Sequence, residues 1–202
     1  MMAGTTATVA SGITNSPFVG VKEFHVAKLL TDPATGEATY EDMISFPWLK
    51  QIQIKPKNND ATLYCDDMSV DTANDTSEYD LTIDTGTMPL EYKAYLLGHA
   101  YDKTTGTVKA TADDAAPYFM VAFTSTKKNG KKRYVKFHKV LFSEPDETAK
   151  TKEASVSYNT PSLSAKAIYR TSDKVVYEQA DEEADGYVAT TGTNWFITNP
   201  SA

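Results

Sequence analysis

The stretch Tyr118-Phe119-Met120-Val121-Ala122-Phe123-Thr124-Ser125-Thr126-Lys127-Lys128-Asn129-Gly130-Lys131-Lys132-Arg133-Tyr134-Val135-Lys136-Phe137-His138-Lys139-Val140-Leu141-Phe142 reads as two strands around a basic tip. Phe119, Val121 and Phe123 alternate with smaller or polar residues, and Val135, Phe137 and Leu141 do so across the turn. Alternation of this kind marks half-buried strands. The two faces also constrain the loop. A two-residue Asn129-Gly130 loop sets Phe123 opposite Lys136 and Val121 opposite His138. An odd-length loop sets Phe123 opposite Val135 and Val121 opposite Phe137, so the pattern predicts three loop residues with Gly130 as the bulge. Lys127, Lys128, Lys131, Lys132 and Arg133 crowd the tip, and their charge predicts that all five lie outside the core.

Strand signals extend in both directions. Towards the N-terminus, residues 19–30 read as a strand followed by the turn cluster Asp32-Pro33-Ala34-Thr35-Gly36. Pro33 presets φ there and Gly36 permits positive φ. Residues 51–55 alternate cleanly, residues 57–60 read as a turn into 61–65, and a second turn is expected around Ala73-Asn74-Asp75. In 78–84, Tyr79, Leu81 and Ile83 share one face while Asp80 and Asp84 share the other. One helix is predicted over 88–97, with Thr87 as cap, Pro89 in the first turn and Gly98 as terminator. Its apolar stripes are Leu90, Ala94, Leu97 and Tyr92, Leu96. Towards the C-terminus, residues 153–158 and 164–169 read as strands joined through Thr160-Pro161, followed by a short run at Val175-Val176-Tyr177. One helix among about eight strands predicts a mainly β fold, a sandwich or barrel with one flanking helix. The expected organisation is a flexible arm over 1–17, a β domain over 18–178 and an acidic tail or arm over 179–202.

Composition agrees. The 202 residues include 27 Thr, 12 Tyr and 8 Phe, types that suit a pleated, half-exposed surface. The formal charge of -7 argues against a protein whose surface grips nucleic acid. A single cysteine, Cys65, excludes an intrachain disulfide and a cysteine-based zinc site. The first residues lack the basic start and apolar run of a signal peptide, and no stretch approaches the roughly 20 apolar residues of a membrane span.

No catalytic motif stands out. His25, His99 and His138 are scattered and read as satisfied or surface histidines, and Cys65 reads as an inert buried thiol. The acidic run 66–75 fails the calcium-loop pattern, because a start at Asp71 puts Ala73 at the third position and Thr76 where glycine is needed. No glycine-rich phosphate loop is present, and no cofactor is expected. The basic tip reads either as a solvated turn or as a contact for an acidic patch, such as Asp181-Glu182-Glu183, on a neighbouring copy.

Several pieces occur in a familiar order: Phe18-Val19-Gly20-Val21-Lys22, Ala61-Thr62-Leu63-Tyr64-Cys65-Asp66-Asp67, Tyr79-Asp80-Leu81-Thr82-Ile83 and the Pro89-to-Gly98 helix. Then follow Pro117-Tyr118-Phe119-Met120-Val121, Tyr134-Val135-Lys136-Phe137-His138-Lys139-Val140, Phe142-Ser143-Glu144-Pro145 and Thr151-Lys152. In this the chain resembles the major tail protein, or tail tube protein, of long-tailed non-contractile phages and prophages of Gram-positive bacteria. Cys65 departs from the small residue usual at that place, and the stretch from Leu30 to Trp48 is longer than the family pattern.

The resemblance implies a tail tube fold, a virion protein assembled in the host cytoplasm, and no enzymatic activity. It implies six-membered rings whose inner strands form one barrel, stacked into a conduit for DNA ejection. The implied partners are other copies of the chain, the tape-measure protein and the tail initiator and terminator proteins, with DNA passing through unbound and no membrane. Under it, Asp80 and Asp84 become expected lumen carboxylates. Asp32, Pro33, Gly36, Trp48, Lys128, Lys131, Lys132 and Arg133 become expected contacts between subunits. The alternative reading is a monomeric β-sandwich binding or adhesion module on a virion or cell surface.

Overall fold

A computed structural model of the protein describes residues 15–65, 68–145 and 160–198. The expected strand at 153–158 and most of the expected arm at 1–17 lie outside these residues. Among the described residues eleven strands and two helices follow one another: β1 Phe18–Thr31, β2 Thr39–Tyr40, β3 Ile44–Phe46, β4 Leu49–Cys65, β5 Met68–Thr85, α1 Leu90–Leu97, β6 Ala100–Asp102, β7 Thr107–Lys109, β8 Tyr118–Lys127, β9 Lys132–Phe142, β10 Ser162–Ile168, β11 Tyr177–Asp181 and α2 Ala189–Thr193. Nine strands form one antiparallel sheet in the order β2-β1-β8-β9-β10-β5-β4, with β3 added to β1 and β11 added to β9. The fold is mainly β, as the alternation predicts.

The β8–β9 hairpin has the expected odd loop. Phe123 faces Val135 and Val121 faces Phe137. The Lys127 N–H donates to the Lys131 carbonyl at 2.8 Å and the Gly130 N–H to the Lys127 carbonyl at 2.9 Å, with Gly130 at φ 84°. Higher in the hairpin the pairing shifts to Phe119 with Val140, so His138 and Lys139 stand opposite Met120 alone. This bulge turns the strand over. Val140 and Phe142 therefore reach the core, and the expected Leu141 does not.

The core gathers Phe24 and Val26 of β1, Leu81 and Ile83 of β5, Leu163 and Ala165 of β10, and the inward faces of β8 and β9. Helix α1 closes it with Leu96 and Leu97, and its Tyr92 ring lies 4.4 Å from that of Phe46. Leu90, expected on the apolar stripe, is instead 51% exposed, and Pro89 rather than Thr87 occupies the N-cap, without a side-chain cap. The predicted terminator is in place: Gly98 adopts φ 75°. A Cβ there would fall on the Ala115 carbonyl oxygen.

Two expectations are corrected. The turns expected at 57–60 and 73–75 do not form, because β4 and β5 run straight through both in one long hairpin. Asn59 pairs with Asp75 and Asp60 with Asn74, with only a register shift between Lys57 and Asn58, so turn-prone residues spend their backbone groups on each other. The expected C-terminal arm is folded onto the domain through residue 198. Its β11 pairs with Tyr134–Phe137 and neighbours on β9, and the buried Trp195 packs on Ala122 and Tyr134 across the outer face of β8 and β9.

Replacing Gly98 by Ala forces a left-handed residue, costing about 1–2 kcal/mol, and adds the collision with Ala115. Gly130→Ala imposes the first cost alone, since nothing lies near its missing Cβ. Thermal melts should show a clearly larger loss for Gly98→Ala; equal losses would contradict the packing described.

Candidate functional site

The basic tip and the acidic segment meet within a single chain. Lys127, expected in solvent, is 1% exposed. Its ammonium donates to Asp181, to Glu183 at 2.6 Å and to the Asn15 side chain. Arg133 donates from Nε to Asp181 at 2.8 Å, the Lys132 N–H reaches Glu182 at 3.0 Å, and Lys132 Nζ pairs with Glu23 at 2.9 Å. The Ser16 N–H donates to Glu183 at 3.1 Å, and the Lys128 N–H to the Pro17 carbonyl at 2.9 Å. Burial alone would push the Asp181 carboxyl up, but Lys127, the Glu183 N–H and Arg133 hold it below its ordinary range. Each long side chain meets a partner far away in the sequence, Lys127 and Arg133 in the segment 181–183 and Lys132 at Glu23. Lys128 and Lys131 alone of the five stay at the exposed tip.

Lys127→Met leaves two carboxylates facing an apolar group, and breaking one side of a buried pair costs about 3–5 kcal/mol. Urea melts at neutral pH should show a loss of that size, and Asp181→Asn in the Lys127→Met background should recover part of it. A neutral Lys127→Met would refute the burial.

The other expected contact residues fall in two places, the β1–β2 turn with Asp32, Pro33 and Gly36, and the head of β4 with Trp48. Asp32 is spent inside the chain. It accepts from Lys139 Nζ at 2.7 Å and from the Thr171 and Ser172 N–H groups at 2.9 and 3.2 Å. These donors outweigh the upward push of burial and hold its carboxyl well below the usual range. Pro33 and Gly36 lie exposed on the β1–β2 turn beside it, with Gly36 at φ 107°. Trp48 is 70% exposed at the start of β4 and holds φ 69°, unusual for a bulky residue. The Gly86 N–H donates to its carbonyl at 2.8 Å, which pins the backbone and leaves the ring in solvent.

Asp80 and Asp84 lie on the polar face shared by β4, β5 and β10. Asp80 stands between Lys55 on one side and Lys166 on the other, and Asp84 between Gln51 and Ser162. Lys57 and Lys166 pair with Glu78 at 3.1 and 3.7 Å on the same face. The face thus alternates acid and base, a pattern invisible until the register is known.

The histidines do not converge. His25 Nδ1 lies 3.0 Å from the Glu23 carbonyl. His138 is buried at the bulge with Nε2 3.3 Å from Glu178. His99 lies between Asp114 at 2.7 Å and Glu144 at 3.1 Å, and these two carboxylates raise its pKa. That pair of contacts stabilises the fold most below the ordinary histidine pKa and fades as pH rises through the raised one. Thr111 hydrogen bonds, with His99, hold Asp114 at about 2. Among the described residues no cluster of histidine, cysteine and carboxylate groups could hold a metal ion, and no helix is long and apolar enough to cross a membrane. A cleft of about 790 Å³ lies between the β1–β2 turn, β9 and residues 194–198. Lys136 and Arg170 line it together with Glu37, Asp173 and Glu178, so both signs of charge meet there.

These features define a β-sheet protein built from buried ion pairs and exposed edges. Residues 49–191, from the start of β4 into α2, match the phage tail tube protein family. The chain belongs to that family, whose members are structural and not enzymatic, and it is a structural component of the phage tail and so of the virion. Among solved structures it is similar to the anti-feeding prophage cap (the tube-terminating cap), with 10% identity and a TM-score of 0.44 over 89% of this chain and 99% of that one. No curated protein sequence matches it.

Proposed function

We propose that copies of this chain close into rings of six, and that the rings stack into the tail tube that conducts DNA at ejection. Polymerisation would start on the tail initiator, follow the tape-measure protein and end at the terminator, all in the host cytoplasm. The observation that carries this reading is the β4–β5 hairpin. Its ladder with β10 ends at Glu78, yet β4 and β5 go on pairing from Asn58 with Thr76 to Cys65 with Met68. This extension reaches roughly 25 Å beyond the shared sheet at strand rise. Its nineteen residues, 58–76, include five aspartates and no lysine or arginine. A projecting hairpin of one charge suits a heterologous contact that repeats from ring to ring.

The polar face of β4, β5 and β10 is then the surface turned to the lumen. Matched acid and base offer DNA no continuous cationic track to bind, which suits passage without capture. Asp80 and Asp84 contribute by balancing Lys55, Lys57 and Lys166. Trp48, Pro33, Gly36, Lys128 and Lys131 remain the exposed candidates for contacts between subunits, whereas Asp32, Lys132 and Arg133 already have partners in their own chain.

Negative-stain imaging at rising concentration, with and without the tail initiator, tests the assembly. The unsubstituted protein should give rings and tubes, and replacing 59–74 by a two-residue turn should give rings without tubes. Strictly monomeric particles throughout would instead support a monomeric binding module. Asp80→Lys combined with Asp84→Lys should leave tubes intact but slow DNA ejection from assembled particles. Unchanged ejection would remove these two residues from the lumen.

A further inference from the structure

The contacts of Lys127 bring an amine, a carboxamide and two carboxylates to one point. The side chain has no exposed surface, and the Phe18 ring covers its ammonium with the centroid 5.8 Å away. A lysine amine acts as a nucleophile once a neighbouring base has taken a proton from it. The electrophile lies beside it. The ammonium donates to Oδ1 of Asn15, so a shift from that oxygen to the carbon of the same carboxamide brings the nitrogen to Cγ. Asn15 itself is exposed, but the chain after it is fastened. The Ser16 N–H donates to Glu183 at 3.1 Å, and the Pro17 carbonyl accepts from the Lys128 N–H at 2.9 Å. Reacting groups held in contact this way need no encounter to meet.

The two carboxylates are not equivalent. Asp181 accepts from Arg133 Nε at 2.8 Å and from the Glu183 N–H at 3.0 Å as well as from Lys127. Those donors keep it ionised. Glu183 has no arginine partner. Its Oε2 accepts from Lys127 at 2.6 Å and from the Ser16 N–H, and its Oε1 accepts from the Asn129 amide. Glu183 therefore touches both the amine and the residue that follows Asn15, which is the place for a proton carrier. Two carboxylates in unlike surroundings divide the roles between them.

We infer that Lys127 and Asn15 join in an amide bond within the chain, with Glu183 moving the protons. The ammonium passes one proton to Glu183, and the neutral amine attacks Cγ of Asn15. Glu183 hands that proton to the carboxamide nitrogen, the Cγ–Nδ2 bond breaks, and ammonia leaves. A second proton passes from the lysine nitrogen to Glu183 as the carbonyl re-forms. One N–C bond forms and one breaks, and no oxidant, cofactor or water is consumed. The product holds a neutral amide and a neutral acid where an ion pair stood, so no charge is left buried without a partner. Asp181 keeps Arg133. The bond closes the chain from residue 15 to residue 127 and ties the start of β1 to the end of β8. Salt and acid weaken an ion pair, but they leave an amide intact.

Mass spectrometry of the full chain, denatured after incubation in the folded state at neutral pH, tests the bond. The protein should weigh one ammonia less than its sequence, and digestion should yield a peptide in which residue 15 is joined to residue 127. Asn15→Ala should show the full mass of its own sequence and keep the fold, because the side chain removed is exposed. Lys127→Arg keeps the cation but removes the amine, so it should also show full mass, with circular dichroism reporting a folded sheet. Glu183→Gln keeps both reacting groups and should slow the loss of ammonia about a hundredfold. An unchanged rate there would overturn the proton-carrier role. A loss of ammonia that persists in Asn15→Ala would overturn the assignment, since a succinimide at Asn129-Gly130 gives the same mass. Full mass in the folded, unsubstituted protein after prolonged incubation would overturn the bond itself.

Discussion

One additional residue in β9 organises much of this molecule. His138 and Lys139 stand opposite Met120 alone, and the strand turns over at that point. Below the bulge β9 pairs with β11 and shows Val135 and Phe137 to the core; above it β9 pairs with β10 and shows Val140 and Phe142. The same shift takes His138 out of solvent and aims Lys139 at Asp32, which in turn holds the turn after β10 through the Thr171 and Ser172 N–H groups. A bulge thus lets one strand serve two partners in succession, and the excursion at 169–176 is tied down by the side chain that the bulge redirects.

The second organising element is the burial of Lys127. A lysine rarely loses all its water without carboxylates to replace it. Here the acidic segment at 181–183 supplies them, and residues 15–17 are drawn into the same network. The charges that could have served a contact between copies are consumed within one. What stays exposed is accordingly not the basic tip as a whole but Lys128 and Lys131 alone, together with isolated groups such as Trp48.

Much of the sheet was legible from the sequence because alternation is a local signal. The odd hairpin loop, the face shared by Tyr79, Leu81 and Ile83, and the glycine that ends α1 all follow from residues within a few positions of one another. The long β4–β5 hairpin was not, since Asn, Asp and Thr favour turns when alone and pair well when a facing strand is present. The role of Trp195 was equally hidden. A short apolar run in an acidic tail has no period, and only the exposed outer face of β8 and β9 gives it something to cover.

The sequence by itself determined that the chain is mainly β, that its central hairpin turns through three residues with Gly130 left-handed, and that its order of motifs belongs with tail tube proteins. These depend on side-chain period, on local backbone preference and on residues read in order. The tertiary structure decided where the charges go. Whether Lys127 is solvated or buried depends on Asp181 and Glu183 arriving from more than fifty residues away. Whether Asp80 meets acid or base depends on Lys55 and Lys166 settling on either side of it in register. Electrostatic partnership is set by distance in space, and no local pattern carries that information.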